Sequence, residues 1–185
     1  MKNLIRKQNK EKRALMTKTE VEEKSKKAAS YFLESEIYKN SHVLMLYMPL
    51  GNETDTRYII NNAYRDGKKV VFPVTDEKSG EITPFYADEN TNFKKGAFCV
   101  NEPLCADIAD PTDIDLVLVP GIAFDRTGMR VGFGKGCYDG FLKKLSAVKV
   151  GYCYNFQLTD KIESEAHDIS MDFIVTESGI IKVIV

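Results

Sequence analysis

His42-Val-Leu-Met-Leu-Tyr-Met48 is an unbroken apolar run, the pattern of a strand buried on both faces. A helical stretch from Thr56 to Asp66 follows, ended by Gly67, a residue suited to that position. Lys69-Val-Val-Phe-Pro-Val74 is then a second strand. Strand, helix and strand in succession predict a parallel βαβ unit. Ile114-Asp-Leu-Val-Leu-Val119 is a third strong strand, and Val148–Tyr152 and Asp172–Val175 add two more. Ahead of them, residues 2–15 form a basic helical segment. Thr19-Glu-Val-Glu22 has the form of a capping box, opening a helix with Val21, Ala28, Ala29 and Phe32 on one face. Residues 76–113 hold turns at Ser79-Gly80 and Lys95-Gly96, and read as short antiparallel strands or a lid.

A chain of 185 residues is most simply one domain, 1–185. Its 26 basic and 27 acidic residues nearly balance, which argues against a general nucleic-acid or membrane-surface binder. No apolar run approaches the roughly 20 residues of a membrane span. The first ten residues lack the apolar core of a signal peptide, so a cytoplasmic protein is the expectation. Cys99, Cys105, Cys137 and Cys153 form no CxxC pair, and His42 and His167 form no HExxH. A thiolate or zinc site is not indicated, and the cysteines read as small packed hydrophobes.

The chemistry concentrates in Arg130-Val-Gly-Phe-Gly-Lys-Gly-Cys-Tyr-Asp139. Glycines let a backbone approach a ligand and turn its N–H groups toward one point. Arg130 and Lys135 favour an anion there, and Asp139 can hold a metal bridging phosphate oxygens. Tyr138, Phe141, Leu142 and Leu145 recur at helical spacing, so the loop opens into a helix whose N-terminus attracts phosphate. Neither the Walker loop nor the GxGxxG fingerprint fits. The bland alternative is a flexible glycine loop before a helix.

Strand polarity adds a second loop. Ligands of open α/β sheets bind beyond the carboxyl ends of the strands. Pro49–Asp55 follows the first strand there, and Pro120–Asp125 follows the third and leads into the glycine run. In one parallel sheet, Glu53 faces whatever the glycine loop holds. The alternative for Glu53 and Asp55 is N-terminal capping of the next helix.

Phe124 to Leu142 resembles the signature of the 5-formyltetrahydrofolate cyclo-ligase family. Lys2-Asn-Leu-Ile-Arg6, Met48-Pro-Leu-Gly-Asn-Glu-Thr-Asp-Thr56, Gly151-Tyr-Cys-Tyr-Asn-Phe-Gln157 and His167-Asp168 match other landmarks of that family, in the same order. The resemblance implies an α/β fold, a three-layer α/β/α sandwich around a mixed, mainly parallel, Rossmann-like sheet. It implies conversion of 5-formyltetrahydrofolate to 5,10-methenyltetrahydrofolate, with ATP as co-substrate and Mg²⁺ as cofactor. Phosphorylation of the formyl oxygen makes a leaving group, N10 attacks the activated carbon, and phosphate departs.

Residue roles carry over on the same basis. Lys2, Arg6 and the run Arg130, Val131, Gly132, Phe133, Gly134, Lys135, Gly136, Cys137 and Tyr138 would hold ATP. Taken alone, Lys2 and Arg6 read as a solvated charged face. Met48 and Glu53, with Phe133 to Cys137, would border the folate. Glu53, Lys135 and Arg130 would be catalytic, with Glu53 either hydrogen-bonding ring nitrogens or assisting proton removal from N10. Asp139 and Asp168 would hold Mg²⁺. Cys137, Gly140 and Phe133 depart from the family's usual tyrosine, arginine and polar residue. A sugar-phosphate isomerase-like enzyme, or a non-catalytic folate or nucleotide module, remains the alternative. A monomer or weak dimer with no nucleic-acid or membrane partner is expected.

Overall fold

The structure is a computed structural model that describes residues 2–104 and 106–184. Its helices are α1 (Lys2–Ala14), α2 (Lys18–Glu34), α3 (Glu36–Lys39), α4 (Arg57–Arg65) and α5 (Cys137–Leu142). Strands β1 (Val43–Met45), β2 (Lys69–Thr75), β3 (Ile82–Ala87), β6 (Leu116–Val119), β9 (Val148–Tyr152), β11 (Phe173–Thr176) and β12 (Gly179–Lys182) make one sheet of seven, ordered β12-β11-β9-β6-β1-β2-β3. The five central strands are mutually parallel, and the edges β3 and β12 run antiparallel. Shorter strands β4 (Phe93–Lys95) and β5 (Asn101–Pro103) pair as an antiparallel couple. A third sheet joins β7 (Ala123–Asp125) to β8 (Arg130–Val131) and β10 (Leu158–Thr159). Among the described residues, no helix is long and apolar enough to cross a membrane.

Alternation along the central strands divides the core in two. Leu44, Val70, Phe72, Leu116, Leu118 and Val150 pack beneath α2, α3 and α4, with Ala28, Ala29, Phe32, Ile59 and Ala63 as the helical side. Val43, Met45, Val71, Val117, Val119 and Ile174 face the opposite way, against Phe141, Leu142 and Leu145. The expected sandwich is therefore present, but its second helical layer is thin and centred on α5.

Three boundaries differ from the sequence expectation. The capping box of α2 is Thr17 with Glu20, not Thr19 with Glu22. The same Thr-x-x-Glu spacing occurs in both frames, and Thr17 is the residue with extended backbone. β1 ends at Met45 although the apolar run continues to Met48. Leu46 still donates to Val71 O at 2.9 Å, but the Tyr47 carbonyl accepts from Thr56 Oγ1 at 2.6 Å, and the chain leaves the sheet. β6 begins at Leu116 because Pro111–Asp113 is a 3₁₀ turn closing on Ile114. Asp115 then accepts from the His42 and Val43 amides at 2.7 and 2.9 Å.

Residues 76–113 contain the expected antiparallel strands. Of the cysteines, Cys153 is buried, Cys137 half-buried and Cys99 exposed. Only Cys153 fits the packed-hydrophobe description fully, and burial pushes its thiol far up. Cys105 lies outside the described residues.

Candidate active site

β1 and β6 are parallel neighbours, with Leu44 opposite Leu116 and Met45 opposite Val117. From β1 the chain proceeds one way to β2, and the later strands build the other way from β6. The order reverses between these two strands, so their carboxyl-end loops diverge around a crevice. A cavity of about 590 Å³ opens there.

The loop after β1 contributes Tyr47, Met48, Leu50 and Glu53 to the wall. Glu53 is only 6% exposed. Its Oε2 accepts from the Leu50 amide at 2.9 Å, and its Oε1 lies 3.5 Å from Arg13 Nη1. Burial raises its pKa, while the Leu50 N–H and the Arg13 charge oppose that rise. The capping alternative divides the two acids. Asp55 accepts from the Arg57 amide at 2.9 Å at the start of α4, whereas Glu53 caps no helix and borders the cavity.

The loop after β6 contributes Pro120 and then, beyond β7 and β8, Arg130 and the stretch Gly132 to Asp139. Phe133 to Gly136 are exposed. Gly136 is the residue before α5 and sits at φ 66°, a left-handed conformation that a side chain would strain. α5 is shorter than its apolar spacing suggests: Leu145 packs as expected but lies beyond the helix, on turn hydrogen bonds. The first intrahelical bond is Gly140 N–H to Gly136 O at 3.0 Å, so the Cys137, Tyr138 and Asp139 amides have no acceptor within the helix.

Helix α1 lies across the site. Arg6 Nε donates to Gly132 O at 2.9 Å, and buried Asn9 donates to Ile122 O at 3.1 Å. Lys2 Nζ lies 2.8 Å from both Glu165 and Asp168. Hydrogen bonds to those two carboxylates raise the Lys2 pKa. For Asp168, burial pulls upward, but the Lys2 ammonium and the Glu165 amide hold the carboxyl below its ordinary value. Lys2 and Arg6 thus line the cavity rather than forming a solvated charged face.

The two candidate metal ligands come near one another. Asp139 Oδ1 accepts from Arg130 at 2.7 Å and from the Ile169 amide, next to Asp168, at 3.5 Å. Its other oxygen, and Asp168 Oδ1, make no hydrogen bond to the described residues. Among the described residues no group of three or more His, Cys, Asp or Glu side chains is gathered to hold a metal. Two carboxylates with a free oxygen each fit a hydrated Mg²⁺ shared with substrate phosphates, and do not fit a closed protein cage.

Of the residues expected from sequence, Val131 alone is placed elsewhere. It is 1% exposed and packs with Ala123 and Ile162 in a small separate core, because β8 turns it away from the cavity. Arg130 lines the cavity but is spent largely on Asp139 and the Tyr138 ring, 5.6 Å away. The sequence does not point to Pro73 and Thr75 at the end of β2, nor to Phe98 and Glu102 within residues 76–113, all of which line the cavity. From that segment Ala97, Phe98, Val100 and Glu102 line the cavity, and Lys135 Nζ lies 3.8 Å from the Phe98 ring centre. Arg13 was missed as well. Its seven-residue spacing from Arg6 put it on the same helix face and was the available signal.

The model of the 5-formyltetrahydrofolate cyclo-ligase family matches residues 1–177. The chain belongs to that family. It is 27% identical over 176 residues to 5-formyltetrahydrofolate cyclo-ligase of Escherichia coli K12, covering 92% of this chain and 97% of that protein. It is 31% identical to the Saccharomyces cerevisiae cyclo-ligase over 76% of this chain and 78% of that one. The NMR structure of Aquifex aeolicus 5,10-methenyltetrahydrofolate synthetase superposes with a TM-score of 0.87 at 32% identity, over 98% of this chain and 92% of that one. A Mycoplasma pneumoniae 5,10-methenyltetrahydrofolate synthetase gives 0.75 at 25% identity, over 95% and 98%. The cavity between the β1 and β6 loops lies beyond the carboxyl ends of these strands, the side on which open α/β sheets bind ligands.

Proposed function

We propose that the protein catalyses the ATP- and Mg²⁺-dependent cyclisation of 5-formyltetrahydrofolate to 5,10-methenyltetrahydrofolate, releasing ADP and phosphate. One observation carries this beyond family membership. A single cavity is bordered by a buried carboxylate, Glu53, on one loop, by Lys2 and Arg6 from helix α1, and by Lys135 and the first residues of α5 on the other loop. An acid for the pterin side and a cationic rim for a triphosphate are what the reaction needs to hold two substrates in line.

Lys2, Arg6 and Lys135, with the Cys137 to Asp139 amides, would neutralise and orient the phosphates. The formyl oxygen attacks the γ-phosphorus, the bond to the bridging oxygen breaks, and ADP leaves. The N10 lone pair then attacks the formyl carbon, the carbon–oxygen bond breaks, and phosphate leaves with that electron pair. Met48 offers a polarisable apolar wall to the ring system. The raised pKa of Glu53 suits it to take the proton that N10 gives up. Mg²⁺ held by Asp139 and Asp168 would supply charge neutralisation at the transferring phosphoryl group.

The direct test mixes the protein with 5-formyltetrahydrofolate, ATP and Mg²⁺ and follows the near-ultraviolet absorbance of methenyltetrahydrofolate. The expected signal requires all three components. Its absence with folded protein, or its persistence without ATP, would refute the proposal.

A further inference from the structure

Glu53 does not stand alone in its wall. Arg13, from the last turn of α1, is the charged group nearest to it, with Nη1 3.5 Å from Oε1 and only 12% of the Arg13 side chain exposed. The same guanidinium lies 5.8 Å from the Phe133 ring centre, on the glycine loop. The backbone around this pair is fixed from the other side. Asn52, beside Glu53, donates through Nδ2 to Arg13 O at 2.9 Å and to Met16 O at 3.0 Å, closing the end of α1. One helix therefore anchors at Lys2 and Arg6 among the phosphate-facing residues and ends in a grip on the acid of the opposite loop.

We propose that Arg13 is a positioning residue, which sets the orientation and charge of the Glu53 carboxylate and couples it to the glycine loop through Phe133. Arg13 itself does not line the cavity, so it acts through Glu53. The inference rests on the cyclo-ligase function proposed above for Glu53.

The surroundings of Glu53 leave Arg13 little competition. Tyr47 from the loop after β1 and Tyr138 from α5 are the other titratable groups facing it, and burial pushes both phenols far above neutral range. The Tyr154 hydroxyl donates to the Glu53 carbonyl at 3.2 Å, not to its carboxylate. Removing the guanidinium leaves burial opposed by the Leu50 amide alone, so Glu53 should bind its proton more tightly.

The experiment compares Arg13→Met, Arg13→Lys, Glu53→Gln and the Arg13→Met/Glu53→Gln double variant. In Arg13→Met, kcat/KM for 5-formyltetrahydrofolate should fall roughly tenfold or more, and its acid limb should move up by about one pH unit. The KM for ATP should change less than about threefold. Arg13→Lys should restore the wild-type limb, and adding Arg13→Met to Glu53→Gln should cost nothing further. An Arg13→Met variant with an unmoved acid limb, or one whose loss is undiminished in the Glu53→Gln background, overturns the proposal. A merely structural arginine would lower the melting temperature without moving the limb. An NMR titration of the Glu53 carboxyl, in wild type and Arg13→Met without substrates, separates the two levels of inference. An upward shift there supports the Arg13–Glu53 link even in a protein that proves inactive on folate, and no shift sinks it. Arg13→Gln takes the place of Arg13→Met if the latter does not fold.

Discussion

Arg130 Nη2 donates to Asp139 Oδ1 at 2.7 Å, and only 5% of the Arg130 side chain is exposed. The two residues bracket the glycine run, so this ion pair ties its beginning to the helix that follows. Arg130 Nε is also buried with no hydrogen-bond partner among the described residues, which makes the guanidinium costly to leave without its carboxylate.

Lys135 and Asp139 should therefore separate by mutation. Asp139→Ala strands a buried cation, so it is expected to destabilise by about 3 kcal/mol as well as to abolish turnover. Lys135 is exposed, and its ammonium lies over the Phe98 ring. Lys135→Ala should change stability by no more than about 0.5 kcal/mol while lowering turnover about a hundredfold. Melting curves and rates on both variants check this, and equal stability losses would contradict it.

Glu53 predicts the acid side of the activity profile. Its folded pKa is raised by burial, so protonation begins above the ordinary glutamate value of 4.5 as pH falls. The acid limb of kcat/KM for the folate should lie above that value. In Glu53→Gln the limb should vanish, with rates reduced by roughly a hundredfold across the range. A wild-type limb at or below the ordinary value would remove Glu53 from the proton transfer.

The parts of this site that were legible in sequence are those set by period and polarity. The runs around Leu44, Val71 and Leu118 are apolar because a central parallel strand is covered on both sides, and that fixed where Glu53 and the glycine loop meet. The placement of Val131 was not legible because a contiguous motif says nothing about which way each side chain points, and β8 alternates Arg130 toward the cavity and Val131 away from it. Phe98 and Glu102 could not be read because β4 and β5 are short and pair only with each other, so their approach to β2 is a packing contact that leaves no local periodicity. In sequence Arg13 is one more cation on a basic helix, and only the fold brings Asn52 and Glu53 to it.

Phe98 sits at φ 54°, a left-handed conformation that costs a residue with a Cβ about 1–2 kcal/mol. The turn holds it there over Lys135. Phe98→Ala and Phe98→Gly remove the same ring, but only glycine adopts that backbone freely. The glycine variant should be the more stable of the two by about 1 kcal/mol. Both should raise KM by a similar factor if the ring's role is to cover the cavity. Chemical denaturation and steady-state kinetics on the pair test this, and an alanine variant as stable as the glycine one would show that the turn relaxes.

The Lys2 cluster predicts how stability depends on acidity. Lys2 holds the Asp168 and Glu165 carboxyls below their ordinary values, with burial pulling Asp168 the other way. A depressed carboxylate contributes stability above its unfolded pKa, 3.8 for Asp168 and 4.5 for Glu165, and loses it as pH falls through the folded value. The raised Lys2 pKa has the opposite sense: its contribution is complete below 10.5 and is lost only as pH rises beyond that. Wild type should therefore be more stable than Lys2→Met from pH 5 to pH 9, by a small margin because Glu165 is exposed and the pair is screened. The difference should shrink as pH falls below about 4, where both carboxylates take up protons. Melting temperatures of the two proteins from pH 3 to pH 8 measure it. A gap that widens in acid would mean that Lys2 stabilises the protein by packing along its aliphatic stem rather than by its charge.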